Sequence, residues 1–261
     1  MLHGKAGQAL TWALLGTAFA LAPPRGDELA EFAAWAARPT LLPFAWHGLV
    51  EAERGSDAEE AFARAQDVMR LLPSWADGFC AFAYRYALAA ETTPHADAQE
   101  RGARAKSRLE LAMAWLATAR PLAGKHEPAV LQALAFLPEV AVRDEPALAP
   151  LLQPQGGAAG IADHWFAELE QRFPRAALRE QRTFFAPALA GALLTAGNRD
   201  AALAVLQHAI QRSHEVRDQE LATEWRSRLQ EVVRWLRGDR TVDLAAVRAD
   251  TRMEPLLPHL R

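Results

Sequence analysis

One cysteine, Cys80, stands in 261 residues. No intramolecular disulfide can form, and neither a thiolate zinc set nor covalent haem attachment is available. Extracytoplasmic proteins of this size manage without disulfides, so cysteine usage leaves the compartment open. The eight histidines, His3, His47, His95, His126, His164, His208, His214 and His259, are dispersed. None forms HExxH or a close pair at ligand spacing. No GxSxG nucleophile elbow occurs. Gly156-Gly157-Ala158-Ala159-Gly160 invites comparison with anion-binding loops at helix starts. No strand precedes it, however, and it fits neither GxGxxG nor GxxxxGK(S/T). No cofactor, metal or small-molecule substrate is implied. A formal net charge of -3 is too near neutral for a nucleic-acid binder recognised by charge.

Strand formers are also scarce. There are two tyrosines, β-branched residues are scattered, and no alternating apolar run appears. Alanine and leucine dominate, and both favour helix. A hydrophobic fraction of 51% suffices for a core and argues against global disorder. The fold class is all-α.

At the N-terminus, residues 9–22 read ALTWALLGTAFALA, an uncharged run after Lys5 that stops at Pro23-Pro24. Three readings fit. A cleaved signal peptide has this layout, although Pro23 suits cleavage after Ala22 poorly. A membrane anchor would use Leu10, Trp12, Leu14, Leu15, Phe19 and Leu21. Fourteen residues rise only ~21 Å as a helix, short of the ~30 Å hydrocarbon core unless the span extends from Ala6 to Pro24. A first core helix is the third reading. Basic residues flank the run too evenly to orient it. Short N-terminal anchors usually leave the following domain outside the cytoplasm.

A repeated helical unit emerges further on. Residues 184–214 carry Leu189 and Leu193 four apart, a break at Gly197-Asn198, then Ala202, Leu206 and Ala209 at i, i+4, i+7. Small residues let two helices cross closely, and Gly197 supplies the left-handed turn. Upstream, Ala61, Ala65, Val68 and Pro73 repeat the second-helix pattern. Phe79, Phe82, Ala83 and Tyr86 repeat the first-helix pattern, and residues 99–120 give its partner. Ala162, Phe166, Leu169 and Pro174 form a third partial unit. Leu221, Trp225, Leu229, Val232 and Leu236 mark a long C-terminal helix of the kind that caps a solenoid.

These residues resemble the tetratricopeptide repeat. Ala186 stands at its usual tryptophan position, Ala190 at its small-residue position and His214 where proline is usual, so the second helix is expected to run on. Residues 43–121 also resemble membrane-anchored bacterial proteins with degenerate repeats of this type and no assigned role. The resemblance implies an α-solenoid of antiparallel helix pairs with an apolar N-terminal helix. The organisation expected is an anchor or signal-like helix (1–25), a first block (26–121), a Pro/Gly-rich insertion with short helices (122–161) and a second block (162–261). Within the insertion short helices are expected at 129–137 and near Ala147, and a flexible loop at 153–160.

Other residues carry weaker chemistry. Cys80, between Phe79 and Phe82, reads as a small buried hydrophobe. Asp57, Glu59 and Glu60 read as first-turn acids. His47 and His208 read as packing histidines at helix interfaces, and most of the eight tryptophans as core. Arg101, Arg104 and Arg108 share a helix face suited to an acidic partner or phosphate, or to plain solvation beside Glu100 and Glu110.

The resemblance implies a non-catalytic scaffold or assembly factor that holds other proteins. It would be tethered to a bacterial inner membrane, with the repeats periplasmic. Candidate partner-binding residues are Phe79, Phe82, Arg85, Tyr86, Arg101, Arg104 and Arg108, together with the helix at 183–195. A permanent accessory subunit of a membrane complex is the alternative. A helical enzyme with an unrecognised site is a third.

Overall fold

The computed structural model describes residues 26–55, 57–90, 97–174 and 176–261. It is all-helical, with no strand among the described residues. The apolar run 9–22 lies outside them. Among the described residues no helix is long and apolar enough to cross a membrane. The chain divides into two compact units, one ending at Leu72 and the other spanning Pro73–Arg261.

In the first unit α1 (Gly26–Arg54) packs on α2 (Ala58–Leu71). Asp57 caps α2, its carboxylate accepting from Glu59 N and Glu60 N at 3.0 and 3.1 Å. Phe62, Ala65, Val68 and Met69 of α2 are buried at i, i+3, i+6, i+7. α1 runs through Pro39 and Pro43, each of which deletes a helical hydrogen bond. It leaves Leu41, Trp46 and above all Phe44, 73% exposed, on the surface.

In the second unit α3 (Ala76–Ala87), α4 (Ala98–Ala119) and α5 (Glu127–Asp144) pack mutually. α6 (Gly157–Arg172) lies on α5, α7 (Ala176–Thr195) on α6, α8 (Arg199–Arg212) on α7 and α9 (Gln219–Leu236) on α8. Asp97 caps α4 and Asp218 caps α9. The turn from α7 to α8 uses Gly197 at φ +77°, the left-handed region that glycine enters without penalty. Asn198 then caps α8, accepting from Ala201 N at 3.2 Å.

The last element is a 3-10 segment, Thr251–His259, which docks on α7. Its approach is set by Gly191, where a Cβ would stand 2.5 Å from the Pro255 carbonyl oxygen. Met253, Leu256 and Leu260 thereby join one core with Ala190, Leu206, Trp225 and Leu229.

Five expectations need correcting. Residues 127–144 form one 18-residue helix, not a short one. Pro138 sits inside it because Leu131, Leu134, Leu137 and Ala141 are all buried, and that burial outweighs one lost hydrogen bond. Residues 153–160 are not a loop. Gly156 at φ +85° ends a 3-10 turn and starts α6. α8 does not run past Arg212, because buried Ser213 donates to Ile210 O at 2.7 Å and accepts from Arg226 Nε at 2.8 Å, which holds a tighter turn there. His47 is exposed, not interfacial, while His208, also exposed, lines the cavity between α6, α7 and α8. Of the tryptophans with described side chains, only Trp225 is fully buried, while Trp46 and Trp75 are exposed.

Candidate functional site

α3, α5 and α7 form a row in the second unit. The Cys80 thiol reaches Ala129 O at 3.9 Å, and Gln132 Nε2 donates to Gln181 Oε1 at 3.1 Å. Cys80 and Tyr84 lie one turn apart on α3. Gln132, Phe136, Glu139 and Arg143 follow at i, i+4, i+7, i+11 on one face of α5. Phe136 is 38% exposed. Its ring is 5.1 Å from that of Phe166 on α6, which is 5.2 Å from Phe185 on α7, so the aromatic chain spans three helices.

The polar groups of this row are partly desolvated. Burial, reinforced by Asp77, pushes the Cys80 thiol up to about 11. Burial and the neighbouring Cys80 push Tyr84 up to about 12. Burial raises the Glu139 carboxyl against the opposing pull of Arg143. Cys80 therefore stays a thiol at neutral pH and lacks the thiolate that a nucleophile needs. The Glu139 carboxylate and the Tyr84 hydroxyl find no hydrogen-bond partner among the described residues, which leaves both able to bond to a guest.

Of the residues singled out on α3, Phe79, Phe82 and Tyr86 are 5%, 7% and 3% exposed. Phe79 stacks on Trp115 of α4 at 4.8 Å, and Phe82 meets Trp75 edge-on at 6.1 Å. They build the helix pair, and of that set only Arg85 reaches the surface. On α4, Arg101 is bonded to Glu145 at 3.1 Å and Arg104 lies 3.9 Å from Glu100. Arg108 is half-buried, its Nε enclosed without a hydrogen-bond partner among the described residues. The three arginines share a helix face, but the structure gives them different tasks.

Two ion-pair ladders had no signature in the sequence. In the first, Arg182 forks onto both oxygens of Asp163 at 2.7 and 3.1 Å and reaches Glu170 at 3.2 Å. Glu170 also accepts from Arg212, which bonds Glu215 at 3.1 Å. This ladder ties α6, α7 and α8 together beside a cavity of about 60 Å³. In the second, Arg120 bridges Glu168 and buried Glu127 and lies over Trp165, while Arg172 reaches Glu127 at 3.0 Å. Among the described residues no three His, Cys, Asp or Glu side chains are grouped to hold a metal ion.

Burial alone would raise the Glu170 carboxyl, but the bonds and charges of Arg212 and Arg182 outweigh it and hold it below the ordinary carboxylate range. A depressed folded pKa contributes stability above the unfolded value of about 4.3, and that stability is lost as pH falls through the folded value. Wild-type protein is therefore expected to keep its melting temperature down to about pH 5 and to lose it below about pH 4. Glu170→Gln is expected to cost ~2 kcal/mol at pH 7 and to flatten that acid limb. Thermal melts at stepped pH check both points. An unchanged acid limb in Glu170→Gln would show that the ladder is not its source.

Comparison of the chain with models of known protein families, with curated proteins and with solved structures finds no match.

Proposed function

We propose that this chain is a non-catalytic, tetratricopeptide-like scaffold or assembly factor that holds other proteins on the face formed by α3, α5 and α7. In this reading the helices form antiparallel pairs stacked as an α-solenoid. The apolar run 9–22 tethers the chain to a bacterial inner membrane, with the repeats on the periplasmic side. One observation carries the reading. The α3–α5–α7 row presents the exposed ring of Phe136 on α5, with Glu139 one turn further along the same face and Tyr84 on neighbouring α3, and the polar atoms of both have no hydrogen-bond partner among the described residues. An exposed aromatic on a row that also carries unspent hydrogen-bonding capacity suits a protein surface. The same groups form no nucleophile–base pair.

A second reading is favoured by a different observation. Leu41, Phe44 and Trp46 of α1 are exposed large apolar residues on one short stretch. A permanent subunit of a membrane complex would bury such a stretch in a large obligate interface.

Gentle detergent extraction of the full-length chain, with mass spectrometry of what co-purifies, tests both. Stoichiometric recovery in one membrane assembly favours the built-in subunit. Salt-sensitive, substoichiometric partners favour the scaffold. A partner-free protein in the soluble fraction contradicts both.

A further inference from the structure

The seam between α8 and α9 holds a second surface, built from two helices outside the α3–α5–α7 row. An open groove of about 430 Å³ runs along it, lined by Gln207, Ile210 and Gln211 of α8 and by Gln230, Val233, Arg234 and Arg237 at the C-terminal end of α9. That volume is in the range of ligand-holding clefts. The spacing is helical on both walls, i, i+3, i+4 on α8 and i, i+3, i+4, i+7 on α9, so each helix turns one continuous strip to the seam.

The chemistry of the strip is specific. Ile210 and Val233 make an apolar floor. The side chains of Gln207, Gln211, Gln230 and Arg237 make no hydrogen bond to any described residue. Arg234 is already held by Asp239 at 2.6 and 3.1 Å, so Arg237 supplies the uncompensated charge. Arg240, stacked on Trp235 at 4.4 Å, adds a second cation just beyond the same helix end. An amide side chain both donates and accepts, as a peptide main chain does, and that match suits a peptide better than a phosphate. From Gln230 to Arg237 the strip is ~10 Å long, about three residues of extended chain.

We infer that the α8–α9 groove binds a short acidic peptide segment of a partner protein. An apolar side chain of the guest seats on Ile210 and Val233, its main chain bonds to the three glutamines, and a carboxylate reaches Arg237. The inference rests on the reading of the chain as a protein-holding scaffold and adds a site and a partner chemistry to it.

The test uses the full chain and a fluorescein-labelled hexapeptide alternating glutamate and leucine, read by fluorescence anisotropy against its lysine-for-glutamate counterpart. The acidic peptide is expected to bind and the lysine peptide not to. Arg237→Glu, at an exposed position, is expected to weaken binding roughly fivefold or more without changing the melting temperature. Arg85→Glu on α3 should leave it unchanged. Equal binding of both peptides, no binding of either, or indifference to Arg237→Glu would overturn the assignment. Loss of binding with Arg85→Glu alone would move peptide capture to the other face, ending the groove proposal while sparing the scaffold reading. Sedimentation with phosphatidylserine-containing vesicles that depends on Arg237 would assign the groove to lipid headgroups and overturn it as well.

Discussion

A chain ending at Asp250 is expected to melt at least ~10 °C below the full protein, or not to fold at all. Met253, Leu256 and Leu260 are 0%, 0% and 1% exposed and share a core with Trp225 and Leu206. Burying each contributes about 2 kcal/mol, so roughly 6 kcal/mol leaves with the segment. Domains of this kind are stable by only about 5–15 kcal/mol. Each kcal/mol moves the midpoint by about 2–4 °C at this size. Gly191→Ala is the single-residue counterpart. In an open helix interior that change gains up to ~1 kcal/mol. Here the new methyl would stand 2.5 Å from the Pro255 carbonyl and push the segment off α7, so a loss of ~2 kcal/mol or more is expected. The part of the tryptophan red shift that disappears in a Trp225→Phe background provides a local readout, because Arg252 of the segment covers that ring at 4.9 Å. A truncated chain melting within ~3 °C of the full protein would mean that the segment is not part of the core.

Trp225→Ala is expected to cost about 4 kcal/mol, the range for emptying a core site of this size. Trp225 is 0% exposed and meets Phe184 edge-on at 5.1 Å. Its indole Nε1 is buried with no hydrogen-bond partner among the described residues. That donor carries its own desolvation cost of about 1–3 kcal/mol. Trp225→Phe removes the donor and keeps a ring against Phe184, so it should cost ~1 kcal/mol or less. The two variants separate packing from polarity by chemical denaturation. If Phe proves as damaging as Ala, an enclosed water or shape complementarity outside the ring holds the site instead.

Much of the helix layout is legible in the sequence, because periodicity and punctuation agree. Ala202, Leu206 and Ala209 are buried as their spacing implies, and Gly197 takes the left-handed turn. α4 and α9 fall within about two residues of where their apolar stripes put them. On α7 the stripe is less readable. Leu189 and Leu193 are only half-buried, while Ala186 and Ala190 face the core. Close crossing selects small side chains, so the largest apolar residues need not mark the inner face. α5 was hidden by Pro138, and with it Phe136 and Glu139 of the candidate face. Extending that helix through the proline would have placed both on one side with Gln132.

The ladders and the C-terminal segment could not be read in advance. Asp163, Glu170, Arg182 and Arg212 lie on three helices, and nothing local marks them as partners. The segment at 251–259 docks through a glycine sixty residues upstream, a long-range fit that no short window contains. The aromatic cluster Phe79, Phe82 and Tyr86 shows the converse. A pattern that identifies a first helix identifies its packing side, so the residues that define the resemblance are the ones least able to touch a partner.

The measurement that bears most directly on the scaffold reading is co-purification of wild-type and Phe136→Lys chains, extracted side by side in mild detergent and compared by quantitative mass spectrometry. Helicity and melting temperature of the variant serve as the folding control. The reading predicts a defined protein partner recovered with the wild type and depleted at least several-fold with Phe136→Lys. Equal recovery with both chains, or no protein partner with either, would contradict it.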